Sequence, residues 1–395
     1  MFFGQDHLEK TILKIFKMDK LNMIYFNNAA ESYPKSLAIQ EVVNGLPYYE
    51  NGRNCNCSSN LNPSEEFRVK LSNFLNLPED YQVTITNSAT ESANLILRSL
   101  PKNSCVVYDN FSHNCIVRTC NDMGFHSTIM HNQNADVYCL TYQSNVDGRI
   151  YSDFGNLLKT CNNDSIIVVD ISQAIGNIKL DVSKWNHRNL YIFGTMHKYM
   201  GSICGCGFVC HPKNNFLKPL ITGGTGTQTV DKTQPKNYPN YLESGTKNSL
   251  ALACACKSID LVNGLFDTNN QAKTELTKYF LKCFNEKIDK DIFEKFFFLR
   301  HHEITNFAPY VNLVPYNPMI GKLVTSQLFS DYNIVSRFGC HCVPYFTFGE
   351  NGKTYNENIR LSFNEFNVRS EVDTFIDALN DILLKNYIEF IKHVK

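Results

Sequence analysis

Little in this sequence suits a fibrous, disordered or membrane-spanning protein. Of 395 residues only 20 are Gly and 13 Pro, too few for a collagen repeat or a Pro/Gly-rich disordered chain. Neither sign of charge is in excess: 38 Lys and Arg balance 38 Asp and Glu. No net field therefore draws the chain to nucleic acid or to an anionic membrane, and its basic residues are dispersed, without an aromatic-basic stripe. Long hydrophobic runs are missing too. A core-like run such as Ser165 to Val169 before Asp170 falls far short of the roughly 18 residues that cross a bilayer. The first residues carry Asp6, Glu9 and Asp19 among lysines and lack an apolar segment with a small-residue cleavage site, so a cytoplasmic location is expected and a secretory signal is not.

What is present is a globular composition. Hydrophobic residues make up 43% of the chain, and its length suits about two domains, enough to enclose a small molecule. The 15 Cys are odd in number and sit in a chain too long to need disulfide staples, which suggests reduced thiols. C-x-C pairs stand at Cys55/Cys57, Cys204/Cys206, Cys254/Cys256 and Cys340/Cys342. Zinc sites use C-x₂₋₄-C spacing with a second such element, so no metal is expected and most of these thiols read as small buried hydrophobes.

Short apolar runs at Gln82–Thr86, Cys105–Tyr108, Val137–Thr141, Ile166–Val169 and Leu190–Phe193 read as buried strands. Between them lie helical patterns such as Phe67, Leu71, Phe74 and Leu75. This is α/β alternation around a mostly parallel sheet. Beyond about Leu250 the pattern turns helix-rich (Ala251 to Leu265, Gln271 to Phe284), then gives shorter strands and a last helix from Ser370 to about Leu384. The expected domains are 21–255, large, and 256–395 together with 1–20, a smaller α+β domain.

Ligands of open α/β sheets bind beyond the carboxyl ends of the strands, so the residues that follow each strand matter most. After the first come Ser88 and Glu91, spaced as a capping box; the helix start at Ala89 and Thr90 suits a phosphate, although a plain capped helix reads the same way. His113 and Asn145 follow the next two strands, where either also fits a turn. The fourth strand closes on Asp170 with Gln173 three residues on, and a carboxylate there is costly unless a cation such as a protonated pyridine nitrogen meets it. Thr195, Met196, His197 and Lys198 follow the fifth. An anion site, an imidazole, a carboxylate for a ring nitrogen and a lysine for a Schiff base together describe pyridoxal 5′-phosphate.

With these residues in view, the chain resembles the fold-type I, class V aminotransferase-like enzymes, most closely their cysteine desulfurase branch. The resemblance runs from Ile24-Tyr25-Phe26-Asn27-Asn28-Ala29-Ala30 to the last helix. It implies that Lys198 carries the cofactor, that Asp170 partners the pyridine nitrogen, and that Thr195 and His197 lie by the phosphate with Ala89 and Thr90. Gln173 and Asn145 would face the phenolic oxygen, and His113 would stack on the ring and act in proton transfer. Leu242-Glu243-Ser244-Gly245-Thr246 resembles a segment that reaches the neighbouring subunit, which implies a homodimer with composite sites and Thr246 on the phosphate in trans. Ser336-Arg337-Phe338-Gly339-Cys340-His341-Cys342-Val343-Pro344 resembles the R-x-G-x-H-C-x-P loop of the branch.

Cys342 then stands as the nucleophile, with Arg337 and His341 placed to favour its thiolate, while Cys340 reads as either a second thiol or a structural one. Arg360 would bind the substrate carboxylate as a planar fork, with Arg337 and Asn28 also on the substrate side. The implied activity converts L-cysteine to L-alanine, with sulfur held as a persulfide on Cys342 for a sulfur-acceptor protein and for a use such as iron–sulfur cluster assembly. Other class V activities remain open at this point: a selenocysteine lyase, a molybdenum cofactor sulfurase, an aminotransferase or epimerase, or a non-catalytic homologue acting as a binding partner. Three departures stand out: Asn27 where the family usually has Asp, Met196 in place of a small residue, and Cys204-Gly205-Cys206 after the lysine.

Overall fold

The computed structural model describes residues 23–45, 62–129, 134–150, 154–162, 164–185, 188–301 and 309–394. The described residues form two compact units, one within Ala38–Gln143 and Ile150–Gly264, the other within Met1–Leu37, Ser144–Arg149 and Leu265–Lys395. Against an expected edge at 255/256, the division falls at 264/265. The two helices expected there are one continuous helix, Ser249–Lys287, with no Pro to break it and an isolated Gly264 that costs only about 1 kcal/mol. Residues 24–37, expected with the larger domain, join the C-terminal unit because Ile24–Tyr25 pairs in parallel with Ile334–Val335 and Asn27 bridges Ser362. Residues 1–20 and the Cys55/Cys57 pair lie outside the described residues.

The first unit is built on a seven-stranded sheet. Its strands are β1 (Tyr81–Thr86), β2 (Cys105–Tyr108), β3 (His126–Ile129), β4 (Val137–Thr141), β5 (Ile166–Asp170), β6 (Leu190–Thr195) and β7 (Gly207–Pro212), in the order β1-β7-β6-β5-β4-β2-β3. Only the pairings made by β7 are antiparallel. Six strands therefore share one direction, and the carboxyl ends of β1, β2, β4, β5 and β6 lie on one edge of the sheet. The near-continuous apolar runs of β4 and β5 follow from burial on both faces.

Helix α1 (Pro63–Leu75) starts where the Asn62 side chain accepts the Ser64 and Glu65 N–H groups, with Pro at its first turn. It buries Phe67, Leu71 and Leu75, spaced by four residues along one face. Helices α2 (Ala89–Leu97) and α3 (Asn114–Met123) bury Ala93, Ile96, Ile116 and Cys120 against Val106, Val137, Val168 and Phe193 of the sheet.

Two strands escape the sequence reading. β3 is short, and β7 follows Cys204-Gly205-Cys206, which reads as loop, and ends on Pro212, a residue strands accept at their ends rather than inside. The outer side of edge strand β1 is covered by side chains: Arg68 Nη1 donates to the Val83 carbonyl at 3.3 Å, Tyr238 OH donates to the same carbonyl, and Glu243 Oε1 accepts the Ile85 N–H at 2.7 Å. These contacts satisfy main-chain groups that would otherwise invite another strand.

An 18-residue window of the Ser249–Lys287 helix reaches a mean hydropathy of 1.3, apolar enough by composition to cross a membrane. That qualifies the expectation that no stretch approaches this length. Its Ala251, Leu252, Cys254, Ala255, Cys256 and Ile259 are buried in the protein, and that packing accounts for the apolarity.

The second unit carries an antiparallel sheet of β8 (Phe297–Arg300), β9 (Tyr310–Pro315), β10 (Arg337–Gly339) and β11 (Asn358–Ser362), ordered β10-β11-β9-β8. Alternation divides its faces. Val311, Leu313, Ile359 and Leu361 enter a core with Phe26, Phe280, Phe363 and Phe375. The opposite face aligns Arg337, Arg360, Asn312 and Arg300 across the four strands. The last helix, expected to end near Leu384, continues to Val394.

Candidate active site

In the first unit the predicted residues gather on the carboxyl edge of the sheet. Ser88 caps α2 with an extended backbone, and its Oγ accepts the Glu91 N–H at 3.2 Å. The return half of the expected capping box is shifted by one residue: Glu91 Oε2 accepts from the Asn87 main chain at 3.0 Å and from the Asn87 side chain at 2.8 Å. The N–H groups of a first helical turn have no intrahelical acceptor, so Ala89 and Thr90 offer donors at a positive dipole end. Gly207, opposite both Thr86 and Thr195, lets this turn settle on the sheet; a Cβ there would lie 2.5 Å from the Ser88 carbonyl carbon.

His113 caps α3, and its Nδ1 accepts the Cys115 N–H at 3.1 Å. In the neutral ring the proton therefore sits on Nε2. Asp170 is buried at the end of β5, and its Oδ1 accepts the Ser172 N–H at 2.8 Å. Burial pushes the Cys115 thiol up, with Asp170 adding to that rise and Lys198 opposing it. The thiol thus feels both groups, which places carboxylate and lysine around one point of the edge. Gln173 is buried nearby, its carbonyl accepting from Asn177 Nδ2 at 3.1 Å.

Thr195 Oγ1 donates to the Cys206 carbonyl at 3.2 Å and lies 2.8 Å from His197 Nδ1. Lys198 is half-buried and opens a tight turn in which Gly201 N–H donates to the Lys198 carbonyl at 2.8 Å. Gly176 permits the approach of this turn to the segment after Asp170: a Cβ there would lie 2.6 Å from the Tyr199 carbonyl.

Thr246 is exposed and lines a cleft with Thr86, Asn87, Glu91 and Asn248. The segment carrying it is anchored by Glu243, whose buried carboxylate meets Arg68 at 2.9 Å and Lys247 at 3.0 Å besides the Ile85 N–H. Sequence reading quoted Glu243 without assigning it this role, because Arg68 and Ile85 come from two segments distant in the chain.

In the second unit the site is a concentration of positive charge. Arg360 is 1% exposed and faces Arg337 across the β10–β11 pair. Its guanidinium donates through Nη1 to the Asn145 carbonyl and through Nη2 to Asn27 Oδ1 at 3.3 Å. Asn27, noted only as a departure, is thus a neutral partner of this arginine where a carboxylate would cancel its charge. Asn145, expected at the cofactor's phenolic oxygen, ties two parts of this unit together: its Nδ2 donates to the His341 carbonyl at 2.8 Å. Asn28, expected at the substrate, is fully buried and spends its amide on Ser362, Asn367 and Tyr33. It ties β11 to the loop at Asn367 and to Tyr33 rather than contacting substrate.

Cys342 occupies the third position of a turn closed by the Val343 N–H on the Cys340 carbonyl at 3.0 Å. His341 and Cys342 have φ of 51° and 64°, the type I′ geometry that non-glycine residues adopt at a cost of order 1–3 kcal/mol each. Arg337 Nη2 donates to Cys342 Sγ at 3.4 Å. His341, expected to help Cys342 as a cation, does not: its ring is buried against Asn358 Oδ1 at 3.1 Å, and burial, with Arg360 and Arg337, holds it neutral well below the usual histidine range. Burial and Glu31 push Tyr25 up to about 12, against the pull of Arg360 and Arg337, so it stays a protonated phenol donating to the Glu31 carbonyl. Among the described residues no cluster of three or more His, Cys, Asp or Glu forms a metal site.

The donor set fits pyridoxal 5′-phosphate. A carboxylate is buried at a strand end with one oxygen on a main-chain N–H, a half-buried lysine stands on the neighbouring strand end, and a glycine-based helix turn offers N–H donors on the same edge.

Residues 24–375 match the family model described as Aminotransferase class-V. Among curated proteins the chain is similar to a cysteine desulfurase of Wigglesworthia glossinidia brevipalpis, 22% identical over 92% of this chain and 93% of that protein. It is also similar to a probable cysteine desulfurase of Borreliella burgdorferi, 24% identical over 93% of each. Among solved structures, the apo cysteine desulfurase from Thermococcus onnurineus NA1 superposes with a TM-score of 0.76 at 20% identity, over 95% of this chain and 98% of that one.

Proposed function

Since the chain belongs to the class-V aminotransferase family, we propose that it is a pyridoxal-phosphate-dependent cysteine desulfurase, converting L-cysteine to L-alanine and holding the sulfur as a persulfide on Cys342. The observation that carries this reading is the Cys342 thiol on its strained turn, 3.4 Å from the Arg337 guanidinium. An aminotransferase has no task for such a thiol. The curated relatives named as desulfurases span nearly their whole length in the match, which supports the same choice.

Lys198 would hold the cofactor through its amine, Asp170 its ring nitrogen, His113 the ring face, Gln173 its phenolic oxygen, and Ala89, Thr90, Thr195 and His197 its phosphate. Bound there, pyridoxal phosphate supplies an electron sink for charge developing on the substrate Cα. Asp170 keeps the ring nitrogen protonated, which the sink requires. Arg360 binds and orients the substrate carboxylate, its charge undiminished by the neutral Asn27. His113 carries a proton on Nε2 for exchange with substrate.

Arg337, donating to Cys342 Sγ at 3.4 Å, holds and orients the sulfur that attacks the substrate sulfur. In the overall step the Cβ–S bond of cysteine breaks, a bond forms between that sulfur and Cys342 Sγ, and Cβ gains the hydrogen that makes alanine. Atoms balance without an external oxidant.

The reading includes a homodimer, supported by the exposed Thr246 and by the exposed Ile221 that lines the same cleft, and a cytoplasmic setting with a protein acceptor for the sulfur, iron–sulfur cluster assembly being one destination. The test is alanine formation from L-cysteine by the purified protein with pyridoxal phosphate. Keto acid in place of alanine overturns the reading.

A further inference from the structure

The desulfurase reading leaves one thiol of the nucleophile turn unused. Cys340 and Cys342 are the first and third residues of a single closed turn. Both are half-buried free thiols, and burial, with Glu357 and Cys342, pushes the Cys340 thiol up. Of the other described C-x-C pairs, Cys206, Cys254 and Cys256 are buried away from any such turn. Resting on that reading, we propose that Cys340 is a second sulfur carrier, taking the sulfane sulfur from Cys342 within the turn.

In this step the Cys340 sulfur attacks the terminal sulfur of the Cys342 persulfide. The S–S bond to Cys342 breaks, a new S–S bond to Cys340 forms, and one proton passes from the Cys340 thiol to the released Cys342 thiolate. The sulfane sulfur keeps its oxidation state, so no oxidant or reductant enters.

Two features of the turn favour attack on the terminal sulfur over the inner one. The terminal atom stands one S–S bond, about 2 Å, beyond Cys342 Sγ, which lengthens the reach between residues only two apart. The leaving group is then the Cys342 sulfur, whose negative charge on departure falls beside the Arg337 guanidinium that donates to it at 3.4 Å. Attack on the inner sulfur instead closes a disulfide across two residues of one tight turn, a strained ring. Once emptied, Cys342 is free for a second substrate before any acceptor arrives.

The experiment is the burst of alanine from L-cysteine by the holoenzyme without acceptor or reductant, followed by alkylation and peptide mass mapping of the sulfane sulfur. The wild type should release two alanines per protomer, with sulfane sulfur on both Cys340 and Cys342. Cys340→Ser should release one, and Cys342→Ser none. The mapping uses unaltered protein and does not depend on either variant folding. One alanine per wild-type protomer with sulfur on Cys342 alone overturns the relay and leaves the desulfurase reading intact. A Cys340–Cys342 disulfide with free sulfide also overturns it, whereas no alanine from the wild type overturns the underlying reading.

Discussion

The guanidinium of Arg337 donates to the sulfur of Cys342 at 3.4 Å, and this pair gives the nucleophile turn its chemistry. Because His341 is held neutral by its burial, Arg337 is, of the two expected cations, the one that meets Cys342. Arg337→Met removes the donor at Cys342 Sγ and should lower kcat/KM for cysteine by 10- to 100-fold, about 1.4–2.7 kcal/mol. His341→Asn should change kcat/KM far less. Equal losses in the two variants contradict this division of labour.

Asn27 leaves the charge of Arg360 uncancelled at 3.3 Å. Asn27→Asp should place a carboxylate on that guanidinium and raise KM for cysteine about 10-fold, with kcat changed much less, since ground-state and transition-state binding of the carboxylate suffer together. Steady-state kinetics separate the two; a fall in kcat at constant KM points to another role for Asn27.

Gly207 is the floor of the phosphate turn. Gly207→Ala puts a methyl 2.5 Å from the Ser88 carbonyl carbon, main chain that moves only if α2 moves. Stability should fall by about 1–3 kcal/mol, and pyridoxal phosphate should bind at least 10-fold more weakly by absorbance titration. Wild-type affinity in a destabilised variant would separate the turn from the cofactor.

His211 adds a pH dependence to the first unit. Burial lowers it to about 4, with Thr84 Oγ1 at 2.8 Å and the Pro212 carbonyl at 2.9 Å as partners. A base whose folded value lies below its unfolded value near 6.5 contributes stability that is fully present above pH 6.5 and is lost as pH falls through the window down to about 4. Denaturation midpoints should therefore drop across that window, and His211→Gln should flatten the drop. An unchanged slope contradicts the assignment.

Much of this architecture was legible from apolar runs, because strands buried on both faces leave near-continuous Val, Ile and Leu. All five strands read from the sequence are present, and the residues after four of them meet on one sheet edge. β7 was hidden because its Gly and Cys neighbours mimic a loop, and the break placed inside the Ser249–Lys287 helix was drawn where polar residues only mark its exposed face. At the site, position after the strand ends identified Lys198, Asp170 and His113 as candidates and the family resemblance added Cys342 and Arg360, but neither told who holds them. Asn145 and Asn28 were assigned to ligands when their amides serve main-chain carbonyls and neighbouring side chains. Such partnerships join residues up to 339 positions apart and leave no periodic trace. The same holds for Glu243, whose charge is matched by Arg68 from 175 positions away.

The central claim is that sulfur leaves cysteine by bonding to Cys342. The most direct measurement is alanine release from L-cysteine by the wild type and by Cys342→Ser, both loaded with pyridoxal phosphate and compared by absorbance to confirm equal cofactor content. The account predicts that the variant retains its cofactor band and loses alanine release by at least 100-fold. Alanine released by Cys342→Ser at the wild-type rate contradicts it.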